Sequence, residues 1–171
     1  MKKMAVVIFI LFVGILAAYY VWPEPKLREN AVIDSIEVWK SRHRMAVYSD
    51  GKLLKMYTIA LGRNPVGHKQ FEGDRKTPEG TYTINERNPN SSYYKNLGIS
   101  YPNESDKSFA SSQSKSAGGM VKIHGLRNGR GAIGKFHRWK DWTMGCIAVT
   151  NEEMEELFNS VAPDAKITIH P

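Results

Sequence analysis

An uncharged apolar run near the N-terminus restricts the fold of this chain more than any other feature. The run extends from Ala5 to Trp22 and follows two lysines, Lys2 and Lys3. A helix that spans a bilayer needs about 17–25 apolar residues, so this run is near the lower limit for crossing a membrane. We therefore predict that residues 1–22 form a signal anchor or a signal peptide, and that one domain of ordinary size follows.

The flanks of this run favour an uncleaved anchor over a cleaved signal, although both remain open. A cleavage site of the small-x-small type would need a small residue at position 16, where the chain has Leu16. Tyr19, Tyr20 and Trp22 resemble the belt of aromatic residues found at a membrane interface. Because N-terminal lysines stay in the cytoplasm, we expect the rest of the chain in the periplasm or on the outer face of the cytoplasmic membrane.

Beyond a proline-containing linker, residues 23–31, the pattern is mainly that of strands. Asp50-Gly51 between two apolar segments is a strong hairpin signal. The capping box at 150–153 and the apolar face after it predict one clear helix. We expect residues 32–171 to be a single α+β domain, mainly β and sandwich-like, preceded by the apolar helix. The predicted segments are strands at 33–39, 45–49, 53–61, 80–85, 96–101, 120–124, 146–149 and 166–169, turns at 88–92 and 162–164, loops at 62–77 and 125–142, and a short helix near 105–112.

The net positive charge of the chain favours partners that carry negative charge. The net charge is +7 and the pI is near 9.5, which favours anionic lipid, anionic wall polymer or nucleic acid, unless the excess lysine only keeps the domain soluble. The chain has no basic helix, no Arg-Gly-aromatic motif and no zinc-finger spacing, so a nucleic acid partner is not expected. Since no set of histidine, cysteine and carboxylate residues has zinc spacing, we expect neither a metal nor a cofactor.

The one cysteine of the chain is a candidate nucleophile. A lone thiol in an exported chain, here Cys146, is a liability unless it is used. His124 ends an apolar run, and an imidazole that meets a thiol can remove its proton. The two can meet if the segments 120–124 and 146–149 are neighbouring strands, and the carbonyl of Gly125 can then fix the tautomer of His124. On these residues alone, an inert buried cysteine remains the alternative.

The residues just before the cysteine suit a turn that receives a reacting carbonyl group. Gly145 has no Cβ, so backbone amides can approach the carbonyl oxygen closely at this point. The amides of Met144, Gly145 and Cys146 are therefore the candidate oxyanion hole. We also expect Thr143 to donate a hydrogen bond from its hydroxyl within the same turn.

Several of these segments together resemble one enzyme family. The strings 123–125, Ile-His-Gly, and 143–147, Thr-x-Gly-Cys-Ile, resemble the active-site signature of the L,D-transpeptidase catalytic domain of the YkuD type. Segment 76–82 is similar to that family's Thr-Pro-x-Gly-x-Tyr segment, to which we assign an architectural role only. The run 141–151, Asp-Trp-Thr-x-Gly-Cys-Ile-Ala-Val-Thr-Asn, looks like a subgroup signature, and the whole resemblance extends over about 33–169.

The resemblance implies a cysteine acyl-enzyme that acts on peptidoglycan. Cys146 would attack the carbonyl on the L-centre of a diamino acid in a stem peptide and expel terminal D-alanine. His124 would act as the base and then as the acid for the leaving amine. An amine acceptor would give a cross-link, and a lysine of an envelope protein is another possible acceptor. The chain departs from the common family pattern at Met144, where many members have histidine, and at Ala148, where many have arginine or asparagine.

The same residues are also compatible with two other functions. The first is a hydrolytic peptidoglycan amidase or L,D-carboxypeptidase, in which the same cysteine passes the acyl group to water. The second is a noncatalytic wall-binding module that retains the fold. A Cys146→Ala comparison separates an enzyme from a binding module, because only the enzyme needs the sulfur.

The loop 125–142 is basic and carries the candidate substrate-binding residues. Arginine binds a carboxylate through two hydrogen bonds, so Arg127 and Arg138 are the predicted substrate clamp, with solvated loop charges as the alternative. His137 in the same loop is a rival base, while the other histidines are expected at the surface. An acidic cluster is explained better by a solvated turn than by a sugar-cleaving pair: Glu72, Asp74 and Glu79.

Overall fold

The computed structural model describes residues 2–171, and its first element is a long exposed helix. Helix α1 (Lys2–Val21) has no buried residue, and by length and composition it can cross a membrane. The remaining elements are β1 (Ile33–Trp39), β2 (Arg44–Ser49), β3 (Lys52–Thr58), β4 (Gly80–Ser91), β5 (Tyr94–Ile99), α2 (Glu104–Ser112), β6 (Lys122–His124), β7 (Ile147–Ala148), α3 (Asn151–Ser160) and β8 (Val161–His170), with 3-10 helices at Lys40–Arg42 and Gly131–Trp139.

The strands form one mixed sheet that curls back on itself. Its strand order is β3-β2-β1-β8-β4-β5-β6-β7, with parallel pairing in β1–β8 and β6–β7 and antiparallel pairing elsewhere. Ala60, just beyond β3, exchanges two backbone hydrogen bonds of 3.0 and 2.8 Å with Ala148 on β7. This bridge joins the two ends of the strand order, and the predicted fold class, mainly β with an N-terminal apolar helix, is confirmed.

Local sequence signals account for the hairpin and the last helix. Asp50 and Gly51 have φ values of 47° and 74°, which the two-residue turn between β2 and β3 requires. Thr150 caps α3, because its side chain accepts a hydrogen bond from the Glu153 amide, and the Glu153 carboxylate accepts one from the Thr150 amide. The apolar face of α3 then buries Met154 and Leu157 in the core.

Two predicted turns are wrong, and in both cases strand pairing overrides the local preference. In the predicted turn 88–92, residues 88–91 belong to a strand, because β4 continues to Ser91 and Asn88 pairs with Asn96 of β5. Residues 162–164 do not separate α3 from a short strand, because β8 begins at Val161. An irregular register against β1 accommodates Pro163 there. Turn propensity is weaker than the hydrogen bonds and side-chain contacts that a paired strand gains.

Candidate active site

One open cleft of about 780 Å³ contains both predicted reacting side chains, Cys146 and His124. The sheet brings them together, because β6 and β7 are parallel neighbours and His124 pairs with Ala148. Cys146 immediately precedes β7, so it lies next to the first residue of that strand and beside β6. The neighbouring-strand arrangement expected from the sequence is therefore the one that the protein adopts.

The imidazole of His124 is oriented and held neutral. Its Nδ1 lies 2.7 Å from the Gly125 carbonyl oxygen, which fixes the tautomer with Nδ1–H as the donor and leaves Nε2 free to accept a proton. The ring is flanked by Tyr93, at 4.7 Å between centroids, and by Trp142, at 5.6 Å. Burial lowers the pKa of His124 to about 4, although the Gly125 hydrogen bond opposes this shift. At neutral pH the ring is therefore an uncharged base.

The thiol of Cys146 is also neutral in the resting protein. Burial raises its pKa above the usual value, and the Lys122 amide and the charges of Lys122 and Lys69 only partly offset this. Its Sγ lies 3.6 Å from the carbonyl oxygen of Met120. A raised thiol pKa next to a lowered imidazole pKa means that the proton has to move during the attack, not before it.

This pairing predicts the pH dependence of Cys146 alkylation. We expect the rate with iodoacetamide to keep rising beyond about pH 9, because the thiolate forms only as the raised pKa is approached. Mass spectrometry of the full chain between about pH 6 and pH 10 measures this rate without background, since Cys146 is the only cysteine. A rate that levels off below about pH 7 would instead reveal a preformed thiolate–imidazolium pair.

The turn before Cys146 is held by Thr143. The Thr143 Oγ1 accepts a hydrogen bond from the Gly145 amide at 3.1 Å and donates one to the Cys146 carbonyl at 2.8 Å. The predicted turn contact of Thr143 is therefore present. The Gly145 amide is committed to this turn, which corrects its assignment as an oxyanion donor and leaves the amides of Met144 and Cys146 as candidates.

Two glycines make this turn possible by close backbone contact. Gly145 has φ 131°, and a Cβ there would lie 2.6 Å from the carbonyl oxygen of Lys76. A Cβ on Gly62 would lie 2.2 Å from the carbonyl oxygen of Arg75 and 3.0 Å from Gly145 Cα. Thr77 Oγ1 accepts a hydrogen bond of 3.1 Å from the Gly62 amide, so residues 75–77 pack against Gly62 and the turn before Cys146. Nothing in the sequence around Gly62 indicated this role, which depends on a long-range contact.

A family model described as the YkuD L,D-transpeptidase catalytic domain matches residues 33–169. The chain belongs to this family. It is 28% identical over 149 residues to the candidate L,D-transpeptidase YafK of Escherichia coli (strain K12), covering 80% of this chain and 53% of that protein. The crystal structure of the K307A mutant of Pgp2, a helical cell shape determining protein of Campylobacter jejuni, superposes with a TM-score of 0.59 at 28% identity, covering 84% of this chain and 48% of that chain.

More distant members of the L,D-transpeptidase family share the fold alone. The L,D-transpeptidase of Xylanimonas cellulosilytica (residues 123–326) superposes with a TM-score of 0.52 at 12% identity, covering 91% of this chain and 68% of that chain. The present L,D-transpeptidase domain, with its N-terminal helix, spans about half the length of YafK and Pgp2.

The two positions at which we expect, from the sequence, a departure from the family pattern, Met144 and Ala148, lie in different surroundings. Met144 is exposed and lines the cleft beside Cys146. Ala148 is fully buried and bonded through its backbone to Ala60, and it does not line the cleft. Of the two positions, Met144 is therefore the one that a substrate can contact.

The cleft of this L,D-transpeptidase domain carries positive charge and no carboxylate among its described lining residues. Four basic side chains line it: Arg63, Lys122, Arg127 and Arg130. The prediction for Arg138 is wrong, because that side chain lies outside the lining and binds Glu153 at 2.7 Å and Glu24 at 2.8 Å. The sequence placed Arg130 in the basic loop without a role, and it gave no signal for Arg63 or Lys122.

His137, the rival base, lines the same cleft but is not oriented. Burial lowers the pKa of His137 to about 3, and the charge of Arg138 and the nearby His124 ring act in the same direction. Neither ring nitrogen has a hydrogen-bond partner within residues 2–171. Since only His124 has a carbonyl that fixes its tautomer, the geometry favours His124 as the base.

The predicted acidic cluster is structural. Glu79 forms an ion pair of 2.9 Å with the buried Lys40, and Asp74 forms one of 2.8 Å with Lys69. The Asp74 carboxylate also accepts hydrogen bonds from three backbone amides. Together with the bond from Lys69, these hydrogen bonds hold the pKa of Asp74 below its usual range despite partial burial. None of these carboxylates lines the cleft.

Proposed function

We propose that this chain is a membrane-anchored cysteine acyltransferase of the L,D-transpeptidase type that acts on peptidoglycan stem peptides. The observation that carries the proposal is the shared open cleft, in which Cys146 lies with an oriented, neutral His124. Residues 1–22 act as the anchor and residues 23–31 as the linker, and residues 32–171 work in the periplasm or on the outer face of the cytoplasmic membrane. Helix α1 is compatible with this location.

The acylation step needs only these side chains and the turn. As the Cys146 sulfur bonds to the carbonyl carbon on the L-centre of the diamino acid, His124 Nε2 takes the thiol proton. The amides of Met144 and Cys146 stabilise the oxyanion. When the intermediate collapses, the carbon–nitrogen bond to D-alanine breaks and His124 returns the proton to the leaving amine. The product is a thioester on Cys146.

The second step restores the enzyme. An amine, either of another diamino acid or of an envelope protein lysine, attacks the thioester carbonyl while His124 takes its proton. The carbon–sulfur bond then breaks, the proton passes to the sulfur, and a new amide is released. With water as the attacking group, the same step would give a shortened stem peptide.

The charge of the cleft supports an anionic substrate. Stem peptides carry several carboxylates, and cations that are already neutralised bind them less well. Arg127 and Arg130 have no carboxylate of residues 2–171 within 4.0 Å, whereas Lys122 is paired with Glu86 at 2.8 Å. We therefore assign the substrate carboxylates to Arg127, as the sequence suggested, and to Arg130.

Incubation with defined tetrapeptide muropeptides, followed by mass spectrometry, tests the proposal. Loss of D-alanine together with a new cross-link mass indicates transfer to an amine, and shortened stems alone indicate hydrolysis by the alternative amidase or carboxypeptidase. Cys146→Ala should give neither product. Wild-type protein that binds peptidoglycan but forms no product and no covalent adduct with a carbapenem would overturn the proposal in favour of a wall-binding module.

A further inference from the structure

One wall of the cleft lies directly against the N-terminal helix. We call the segment Gly131–Trp139, which is 3-10 helical on both sides of a kink at Gly134, the wall helix. Two of its residues, Ile133 and His137, line the cleft. Two others, Phe136 and Trp139, contact the last turn of α1. The same nine-residue segment therefore touches the candidate active site on one side and the candidate anchor on the other.

Aromatic contacts join the wall helix to α1. Tyr20 stacks on Phe136 with 5.4 Å between ring centroids, and Tyr19 lies 6.0 Å from Trp139. The Tyr20 hydroxyl also donates a hydrogen bond of 2.8 Å to the carbonyl oxygen of Ala132. Aromatic pairs at these distances attract each other in addition to the stabilisation from the apolar area that they bury.

Ion pairs join the linker to the wall helix at the same place, and we call this contact region between the end of α1, the linker and the wall helix the junction. Glu24 binds Arg138 at 2.8 Å and lies 3.4 Å from Lys135. Arg138, whose side chain is only 6% exposed, also binds Glu153 of α3 at 2.7 Å. Lys135 donates a hydrogen bond to the carbonyl oxygen of Trp22. The junction is thus tied both to the wall helix and to the body of the domain.

The outer surface of this junction exposes large apolar side chains. Trp22 is 72% exposed and Trp139 is 61% exposed. Indole rings prefer the headgroup layer of a membrane, where the ring is shielded and the N–H stays wet. The exposed Lys140 lies beside Trp139, and a basic side chain at this depth favours anionic lipid.

Helix length places this surface at the membrane boundary. A helix of 20 residues, such as α1, is about 30 Å long, which equals the thickness of the hydrocarbon layer. With α1 across the bilayer, Trp22 follows directly at the outer interface. The contacts of Tyr19 and Tyr20 then bring Trp139 to the same level.

We infer that the last turn of α1 and the wall helix together form one lipid-binding surface, with Trp22 and Trp139 in the outer headgroup layer of the membrane. The inference rests on the proposed anchoring of residues 1–22 and goes beyond it, because an anchor on a linker would leave the domain free. Here the anchor supports the cleft wall and keeps the cleft at the membrane surface. The substrates within its reach are stem peptides next to that surface.

Depth-dependent fluorescence quenching tests this inference on the full chain. Three single-tryptophan chains retain Trp22, Trp139 or Trp39, with the other tryptophans changed to phenylalanine, in vesicles of phosphatidylcholine and phosphatidylglycerol that carry bromine near the headgroup. Trp39 is the matched control, because it stacks on His170 and does not contact α1. We expect strong quenching of Trp22 and Trp139, by similar factors, and at least about threefold weaker quenching of Trp39.

The outcomes separate this inference from the other proposals. Quenching of Trp22 without quenching of Trp139 overturns the shared lipid surface but leaves the anchor, and unquenched Trp22 overturns both. Tyr19→Ala/Tyr20→Ala should release Trp139 and leave Trp22 quenched. Hydrogen exchange of residues 131–139 in the otherwise wild-type chain, with and without the two tyrosines, supplies a readout if a single-tryptophan chain folds poorly, and unchanged exchange would contradict the inference. Neither measurement requires turnover, so the enzyme proposal is tested separately.

Discussion

Replacement of His124 by glutamine is expected to lower kcat/KM for D-alanine release by about 10²–10⁴-fold, with the fold intact. Glutamine can keep a hydrogen bond to the Gly125 carbonyl, which His124 Nδ1 makes at 2.7 Å, but it cannot take a proton from sulfur. Because the resting thiol of Cys146 has a raised pKa, attack without a base is slow. Steady-state kinetics with a tetrapeptide muropeptide measures the loss, and thermal unfolding measures the integrity of the fold.

His137→Gln is the matched comparison for this prediction. It removes the second neutral imidazole of the same cleft, so it controls for the loss of an aromatic cleft residue. If His124 is the base, His124→Gln should lose far more turnover than His137→Gln. A near wild-type rate for His124→Gln, or the opposite order of losses, would contradict the assignment.

The pH profile of the wild-type protein gives an independent reading of the same base. If His124 is the base, its uncharged form is the active one, and a pKa lowered to about 4 keeps that form populated down to about pH 5. The value of kcat/KM should therefore stay level from about pH 7 to about pH 5 and fall as the pH drops through about 4. A fall centred near the ordinary histidine value of about 6.5 would show that a solvated imidazole is the base.

The parts of the site that the sequence predicted depend on short-range patterns. The predicted strand 120–124 ends at His124, and the predicted strand 146–149 begins at Cys146. The two strands pair as β6 and β7, and this pairing brings the two side chains into one cleft. The carbonyl of Gly125 reaches the His124 ring because it belongs to the next residue. The Asp-Gly hairpin and the capping box of α3 were predicted for the same reason.

The parts that the sequence did not predict depend on partners far along the chain. Arg138 looked like a substrate clamp because its neighbours are basic, but its partner Glu24 lies 114 residues away. The charge of the cleft wall includes Arg63, which reaches the site through a backbone bridge between Gly62 and Thr143. The end of β4 carries turn-forming residues, and only pairing with β5 makes it a strand. Residue type alone does not encode such long-range contacts.

Substitution of Gly145 by alanine is expected to damage both the fold and the chemistry. The new Cβ would lie 2.6 Å from the carbonyl oxygen of Lys76, a distance that real Cβ atoms essentially never show, so one of the two backbones has to move. The φ of 131° adds strain of about 1–3 kcal/mol for a residue with a side chain. A displacement of about 1 Å at a nucleophile can cost about 10²-fold in rate, so we expect a loss of that order in acylation of Cys146.

Gly73→Ala separates the effect of the close contact from that of backbone strain. Gly73 has φ 83°, but a Cβ there meets nothing within 4 Å, and the residue does not line the cleft. We expect Gly73→Ala to lower the free energy of unfolding by about 1–3 kcal/mol through strain alone and to leave acylation unchanged. Gly145→Ala should lose more stability and also slow the formation of a covalent adduct with a carbapenem. Equal unfolding free energies for the two variants, together with a normal acylation rate for Gly145→Ala, would mean that the Lys76 carbonyl does not hold the turn that carries the sulfur.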